Sequence, residues 1–160
     1  MTGDNRHDPV SGSSTVRPLD LTIHPGHLAR RMQQTSYALW TSMVSEEITA
    51  PQFVVLNVVL GHPDIDQRTV GELASLDRST VTEVVTRLVR RGLMVRLRDP
   101  ADGRRNVLEL TPIGRARLRD VGRRTRVMNK QLLAPLNPAE QALLLELMRR
   151  VVEGGEAARS

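Results

Sequence analysis

The sequence contains no cysteine among its 160 residues. Disulfides, thiolate zinc sites and cysteine-based redox sensing are therefore excluded. His24 and His27 have the spacing of half a zinc site, but the chain has only four histidines. Pro25 and Gly26 between them instead indicate the start of a helix. We predict that the protein binds no metal.

Long apolar runs and catalytic motifs are also missing. No run approaches the ~18 apolar residues that a membrane span needs. No apolar h-region follows the first charges, so the sequence predicts a cytoplasmic protein that does not contact a membrane. The chain has neither a nucleophile–base–orienter set nor a glycine-rich phosphate loop. We therefore predict that it is not an enzyme and needs no cofactor.

Lysine is nearly absent, since Lys130 is the one lysine among 23 basic residues and the net charge is +5. Arginine's planar fork suits phosphates and guanine edges, which favours a nucleic-acid partner. The alternative is a GC-rich genome that encodes arginine in place of lysine. Fourteen arginines lie between Arg78 and Arg126, and this clustering favours the first interpretation.

Helical patterns and caps divide the chain. Residues 1–20 are polar and lack periodicity, so they predict a flexible arm before a single domain over residues 21–160. Apolar spacing predicts helix 1 from about Pro25 to Glu47. Capping patterns start helix 2 at Thr49 and helix 3 at Thr69. Asp77 caps helix 4, which Gly92 ends.

Two short strands follow helix 4. Residues 94–98 alternate apolar and basic, residues 99–103 form a turn cluster, and residues 106–110 give a second strand. Helix 5 then starts at Thr111 and helix 6 after Asn137. The fold class expected is mainly α with a small β-hairpin wing: a winged helix-turn-helix with a helical dimerisation region from the N- and C-terminal helices.

A short helix pair followed by a basic hairpin has the outline of a DNA-reading unit. The second helix would present its first turn to base edges in the major groove, while the hairpin tip would enter the minor groove. The predicted DNA-binding residues are Arg78, Ser79, Thr80, Thr82 and Arg87 on helix 4, with Arg90 and Arg91 beside them, and Arg104 and Arg105 at the tip. Ordinary helix-start chemistry and a solvated turn are the alternatives.

Two motifs resemble the MarR family of bacterial regulators: Asp102 and Arg104 as its "D-x-R" wing, and Leu110 to Gly114 as its "L-T-x-x-G" start of helix 5. The order of elements agrees from about residue 25 to 153. The resemblance implies a winged helix-turn-helix at about 49–111 and dimerisation helices at about 25–47 and 112–153. It further implies a homodimer on a pseudo-palindromic, double-stranded DNA operator. The apolar stripes of helices 1, 5 and 6 favour a dimer independently, with a monomer that buries them internally as the alternative.

Helix 1 resembles the subgroup that responds to protocatechuate and related aromatic acids. In its "H-L-A-R" segment the resemblance assigns the ligand carboxylate to Arg30, which is a strong and selective pairing. A surface salt bridge is the alternative role of Arg30. Arg31 is the residue most easily confused with Arg30 as the contact of the ligand carboxylate. The subgroup carries histidine where this chain has Ser36, which leaves the acid's identity open. The remaining predicted ligand-binding residues are His24, His27, Tyr37, Trp40, Met128 and Asn129.

These observations predict a repressor of an aromatic-compound catabolic operon. A small aromatic acid, such as protocatechuate or a hydroxybenzoate, would release it from the operator. The alternative is a nucleic-acid-binding architectural protein without an effector, which would show little base discrimination and strong salt dependence.

Overall fold

A computed structural model describes residues 17–99 and 106–158. In chain order they form α1 (Pro25–Leu39), a π-helical turn (Trp40–Val44), α2 (Ala50–Gly61), β1 (Ile65–Asp66), α3 (Gln67–Leu73), α4 (Arg78–Arg90), β2 (Met94–Arg98), β3 (Asn106–Leu110), α5 (Pro112–Leu132) and α6 (Pro138–Ala157). The predicted fold class is confirmed: the chain is mostly helical with one small antiparallel sheet. Among the described residues, no helix is both long and apolar enough to cross a membrane.

The described residues divide into two compact units between Gln33 and Gln34, within α1. In the first unit, the His24 Nδ1 atom accepts a hydrogen bond of 3.2 Å from the His27 backbone N–H. This contact satisfies one of the free N–H groups at the start of α1, which gives His24 a capping role. Most of the predicted arm, residues 1–16, lies outside the described residues.

In the second unit, the three-stranded sheet packs against α2, α3 and α4. Its strand order is β1-β3-β2, and both strand pairs are antiparallel. The predicted hairpin is confirmed, with Met94 opposite Leu110 and Arg98 opposite Asn106. Strand β1, a two-residue strand that pairs Ile65 with Leu108, was not predicted from the sequence.

Helix 1 was predicted to continue to Glu47, and this was wrong. The α-helix ends at Leu39, and the π-helical turn that follows ends when the Ser45 N–H donates to the Trp40 carbonyl. Ser45 is extended, and its hydroxyl oxygen accepts from the N–H groups of Glu47 and Ile48. These contacts turn the chain into a connecting loop, residues 45–49.

The start of helix 3 was also predicted wrongly, at a capping box on Thr69. The helix begins at Gln67, because the Asp66 carboxylate accepts from the Thr69 N–H at 2.9 Å and acts as the N-cap. The other predicted caps are confirmed. Thr49 and Gln52 form a capping box on α2, Thr111 caps α5, and the Asn137 side chain accepts from the N–H groups at the start of α6.

The core lies where α2, α4, the sheet and α5 meet. Trp40 anchors one side of it: its ring lies 5.4 Å from that of Phe53, and its indole N–H donates to the Ile48 carbonyl at 2.8 Å. Gly114 allows α5 to start against the chain after α4, since a Cβ at this position would lie 1.9 Å from the Leu93 carbonyl oxygen. Gly92, with φ of 69°, ends α4 as predicted.

Candidate nucleic-acid interface

Helix α4 separates its apolar and polar residues onto opposite faces. Its buried residues are Val81, Val84, Val85 and Leu88. The exposed side chains on the other face include Arg78, Ser79, Thr82, Glu83 and Arg87. The core therefore holds the helix by one side and leaves its first turn and outer face open to solvent.

A single carboxylate organises the first turn of α4. Asp77 accepts from the backbone N–H groups of Ser79 and Thr80, each at 2.9 Å. It also accepts from the Ser79 hydroxyl at 2.5 Å and the Thr80 hydroxyl at 2.6 Å. The two hydroxyls are the largest cause of the lowered pKa of Asp77, because these hydrogen bonds favour its charged form.

The arginines of α4 differ in how they are paired. Arg87 forms an ion pair with Glu83 one turn earlier. Arg91 donates to the Glu47 carbonyl at 2.6 Å, and its guanidinium lies 3.8 Å from the Glu47 carboxylate. Arg78 and Arg90 form no ion pair with any residue in the two described ranges. Arg91 was predicted to face phosphates together with Arg87 and Arg90, whereas in the structure its guanidinium contacts the connecting loop.

An open groove of about 1060 Å³ runs between α4 and the chain leading into α2. Arg78, Arg87, Arg90 and Arg91 contribute to its lining, and Glu46, Glu47 and Glu83 bring the opposite charge to it. Ser79 and Thr82 also lie along it. The groove therefore follows the exposed face of α4 from its first turn to its last.

Polar side chains link α4 to the start of α3 and to the sheet. The Gln67 side-chain amide donates to the Thr82 hydroxyl oxygen at 2.9 Å. Arg96 of β2 donates to the Gln67 side-chain carbonyl at 3.1 Å. Gln67 and Arg96 were not predicted as site residues, since no local sequence pattern indicates a contact across 15 or 29 residues.

Glu47 connects α4 to α5. Its carboxylate accepts from Arg117 of α5, while its backbone carbonyl holds Arg91 at the end of α4. Arg124 of α5 also donates to the Val44 carbonyl at 3.4 Å. Glu47 was predicted only as the end of helix 1, although Arg91 and Arg117 both contact it.

The predicted hairpin-tip residues Arg104 and Arg105 lie outside the described residues. Their placement and their DNA contacts remain predictions. The flanking strands are described up to Arg98 and from Asn106 onward.

The predicted ligand-binding residues are distributed over both units. Arg30, His24 and His27 lie in the first unit, and Tyr37, Trp40, Met128 and Asn129 lie in the second. Trp40 and Met128 are buried in the core, whereas Tyr37 and Asn129 are exposed. The role of this set in binding an effector remains a prediction. No cluster of three metal-binding side chains occurs within the described ranges.

Helix α6 exposes an apolar stripe. Six of its large apolar side chains are between 45% and 76% exposed, and five of them share one face of the helix: Leu143, Leu147, Met148, Val151 and Val152. An apolar face of this kind is a candidate surface for packing against another protein chain.

Comparisons with known proteins identify the fold family. A profile of the MarR family matches residues 48–105, which contain α3 and α4. The crystal structure of the PcaV transcriptional regulator from Streptomyces coelicolor, in complex with its natural ligand, shares 54% sequence identity. It covers 88% of this chain and 99% of its own, with a TM-score of 0.83. The chain belongs to the MarR family.

This MarR-family transcriptional regulator is also similar to a named repressor and to a regulator that responds to a small acid. The HTH-type transcriptional repressor NicR of Pseudomonas putida is 29% identical over 151 residues, covering 94% of this chain and 96% of NicR. Bordetella bronchiseptica BpsR, whose DNA binding is regulated by 6-hydroxynicotinic acid, is 32% identical with a TM-score of 0.73. That match covers 79% of this chain and 97% of BpsR. The resemblance and the winged helix-turn-helix predicted from the sequence are confirmed.

Proposed function

We propose that this protein is a transcriptional repressor that binds a pseudo-palindromic operator as a homodimer and releases it when a small aromatic carboxylic acid binds. The observation that carries the proposal is α4, which the core holds by its apolar face while its first turn and arginines stay exposed. The similarity to NicR, named a repressor, supports the sign of regulation. The similarity to BpsR, which responds to an aromatic acid, supports the effector class.

The DNA contacts follow from the chemistry of each side chain. Arg78, Ser79 and Thr80 at the start of α4 would face base edges in the major groove. Arg87 and Arg90 would contact phosphates, and Arg104 and Arg105 of the wing would enter the minor groove. In this assignment Thr82 serves chiefly to hold the helix, because its hydroxyl already donates to the Arg78 carbonyl and accepts from Gln67.

A two-fold dimer would present two copies of α4 to half-sites about 34–36 Å apart, one turn of DNA. The exposed apolar stripe of α6 supports this assembly, since a partner's copy of the same stripe would cover it. The domain limits proposed from the sequence, with dimerisation helices at about 25–47 and 112–153, belong to this proposal.

Selection from a random double-stranded DNA library tests operator binding directly. We expect enrichment of one pseudo-palindromic sequence whose half-site centres lie about ten base pairs apart. Hydroxybenzoates, protocatechuate and 6-hydroxynicotinic acid are then titrated into the complex, and at least one should release the DNA. An architectural DNA-binding protein would instead enrich no sequence, and its affinity would follow salt concentration alone.

Arg30 is the residue we assign to the effector carboxylate. Arg30→Ala should abolish release by the active acid while leaving operator affinity unchanged, because the loss is confined to a bidentate pair with the ligand. Arg31→Ala removes the same charge from the neighbouring position and should respond normally. An Arg30→Ala protein that still releases DNA at the wild-type acid concentration would exclude this role.

Arg104 is the wing residue we assign to the minor groove. Arg104→Ala should weaken operator binding at least tenfold, since it removes a cation from a region of concentrated negative potential. Arg126 is an exposed residue of α5, and Arg126→Ala removes the same net charge and serves as the control. Equal losses in the two variants would indicate a general charge effect and would remove the wing from the proposed interface.

A further inference from the structure

The hydroxyl groups at the start of α4 have a fixed hydrogen-bond direction. A carboxylate can only accept hydrogen bonds, and Asp77 is ionised at neutral pH. The hydroxyls of Ser79 and Thr80, at 2.5 and 2.6 Å from it, must therefore donate to it. Each hydroxyl has one hydrogen, so both donors are used inside the protein and lone pairs alone are left to face outward.

The same direction holds one turn further along the helix. The Thr82 hydroxyl donates its hydrogen to the Arg78 carbonyl at 2.7 Å. The hydroxyls of Ser79, Thr80 and Thr82, here called the hydroxyl set, thus direct their hydrogens toward the protein. Arg78 lies exposed beside the set and supplies hydrogen-bond donors to this part of the surface.

We infer that the hydroxyls of Ser79 and Thr80 make the first turn of α4 selective for bases that present an amino group in the major groove, adenine and cytosine. Adenine N6 and cytosine N4 are the donors on that edge, whereas guanine N7 and O6, adenine N7 and thymine O4 are acceptors. A lone pair of Ser79 or Thr80 pairs with the amino groups and repels the acceptor edges. Asp77 is then a positioning residue that sets base preference through the two hydroxyls. This inference rests on the proposed operator binding.

Asp77→Asn keeps the N-cap of α4 but changes the direction of a hydrogen bond between residue 77 and one of the two hydroxyls. Asparagine is as good an N-cap as aspartate, so α4 should keep its start. Its amide nitrogen donates where a carboxylate oxygen accepted, which releases the hydrogen of one hydroxyl to point outward. We expect operator selection with this variant to admit guanine or thymine at the base pair that contacts the start of α4. Circular dichroism checks that the helix content is retained.

Asp66→Asn is the matched control. Asp66 caps α3 with the same chemistry, accepting from the Thr69 N–H and hydroxyl at 2.9 and 3.1 Å. Its variant should select the wild-type sequence. An equal change of base preference in both variants, or none in Asp77→Asn, would overturn the inference.

A double-mutant cycle that combines protein and base substitutions measures the contact between a hydroxyl of Ser79 or Thr80 and the base amino group. The contacted adenine is replaced by purine deoxyriboside, which lacks the amino group, or the contacted cytosine by its analogue without N4. Wild-type affinity should fall about five- to tenfold, the size of one hydrogen bond, and the affinity of Ser79→Ala or Thr80→Val should fall less. Replacing N7 of a contacted purine by carbon should have no effect that depends on Ser79 or Thr80.

The outcomes distinguish the two proposals. A wild-type protein that enriches no sequence would overturn the proposed function, and this inference with it. An enriched operator with guanine or thymine opposite both hydroxyls, or with equal losses in the wild type and the hydroxyl variants, would overturn the inference alone.

Discussion

At the scale of single residues, Asp77 organises the first turn of α4. It accepts two backbone N–H groups and two hydroxyls, and it is placed at the positive end of the α4 dipole. All of these interactions favour the ionised carboxyl and lower its pKa. The stability of α4 therefore depends on a charge that lies beside the proposed DNA surface.

Asp77→Ala should lower the melting temperature at pH 7, because it removes the cap of α4. The ordinary pKa of the carboxyl is 3.8 and folding lowers it. The stabilisation is therefore complete above pH 3.8 and is lost as the pH falls through the folded-state value. Thermal melts across this range should show the wild-type and variant curves converging below pH 3.8. A constant separation down to pH 2.5 would contradict the assigned cause.

Gly114 and Gly122 both lie in α5, but the structure gives them different roles. A Cβ at Gly114 would lie 1.9 Å from the Leu93 backbone carbonyl oxygen, which cannot move without shifting the end of α4. A Cβ at Gly122 would lie 4.0 Å from the Phe53 ring, an ordinary contact. The glycine in the family motif at the start of α5 is thus required by a close backbone approach.

Alanine substitution should have opposite effects at the two glycines. Gly114→Ala should destabilise the protein by about 2 kcal/mol or more, as overpacking does. Gly122→Ala should stabilise it by about 0.5–1 kcal/mol, because alanine is the better helix former. Denaturant unfolding at one protein concentration measures both. A neutral Gly114→Ala variant would indicate that α5 starts further from Leu93.

At the scale of elements, the loop over residues 45–49 joins three parts of the second unit. Trp40 of the π-helical turn holds its end through the Ile48 carbonyl, Arg91 of α4 binds the Glu47 carbonyl, and Arg117 of α5 binds the Glu47 carboxylate. The ion pairs are half exposed and contribute little individually. The buried indole hydrogen bond is the strongest single restraint on the loop.

Trp40→Phe should destabilise the protein by about 2 kcal/mol, since it leaves the Ile48 carbonyl without its donor and removes part of a buried ring. Hydrogen exchange at the amides of Glu47 and Ile48 should accelerate. Tyr37→Phe changes an exposed aromatic residue three positions earlier and should remain within about 0.5 kcal/mol of the wild type. Similar losses in the two variants would contradict this role of the indole N–H.

At the scale of the whole molecule, α6 carries apolar side chains that the single chain leaves exposed. Its apolar stripe is exposed in the single chain, and no residue of α6 is buried within the described part of the chain. The basic face of α4 and the apolar face of α6 thus offer two chemically different surfaces. DNA is the expected partner of the first, and a second copy of the chain is the expected partner of the second.

Leu147→Glu should lower the dimer fraction in sedimentation, because it places a charge within the apolar stripe of α6. Ala142→Glu adds the same charge to the opposite side of the helix and should leave the dimer intact. Operator affinity should fall with dimer fraction for Leu147→Glu, since both half-sites must be occupied together. A fully dimeric Leu147→Glu protein would place the interface elsewhere.

The family, the hairpin and most helix limits could be predicted from the sequence. Asp77, Thr49, Thr111 and Asn137 cap the N–H groups of residues two or three positions away, so their signals are local. The start of α3 was misplaced because Asp66 and Thr69 both have capping side chains. In the structure Asp66 accepts from Thr69 itself.

The sequence by itself determined which residues form α4, which residue caps it and which of its faces is apolar, because these depend on neighbours within one or two helical turns. Tertiary structure alone decided the end of helix 1, the pairing of β1 with β3, and the contacts of Arg91 and Arg117 with Glu47. These contacts join residues 44 and 70 positions apart. Such pairs form only when packing of the core brings the elements together, and no local pattern records them.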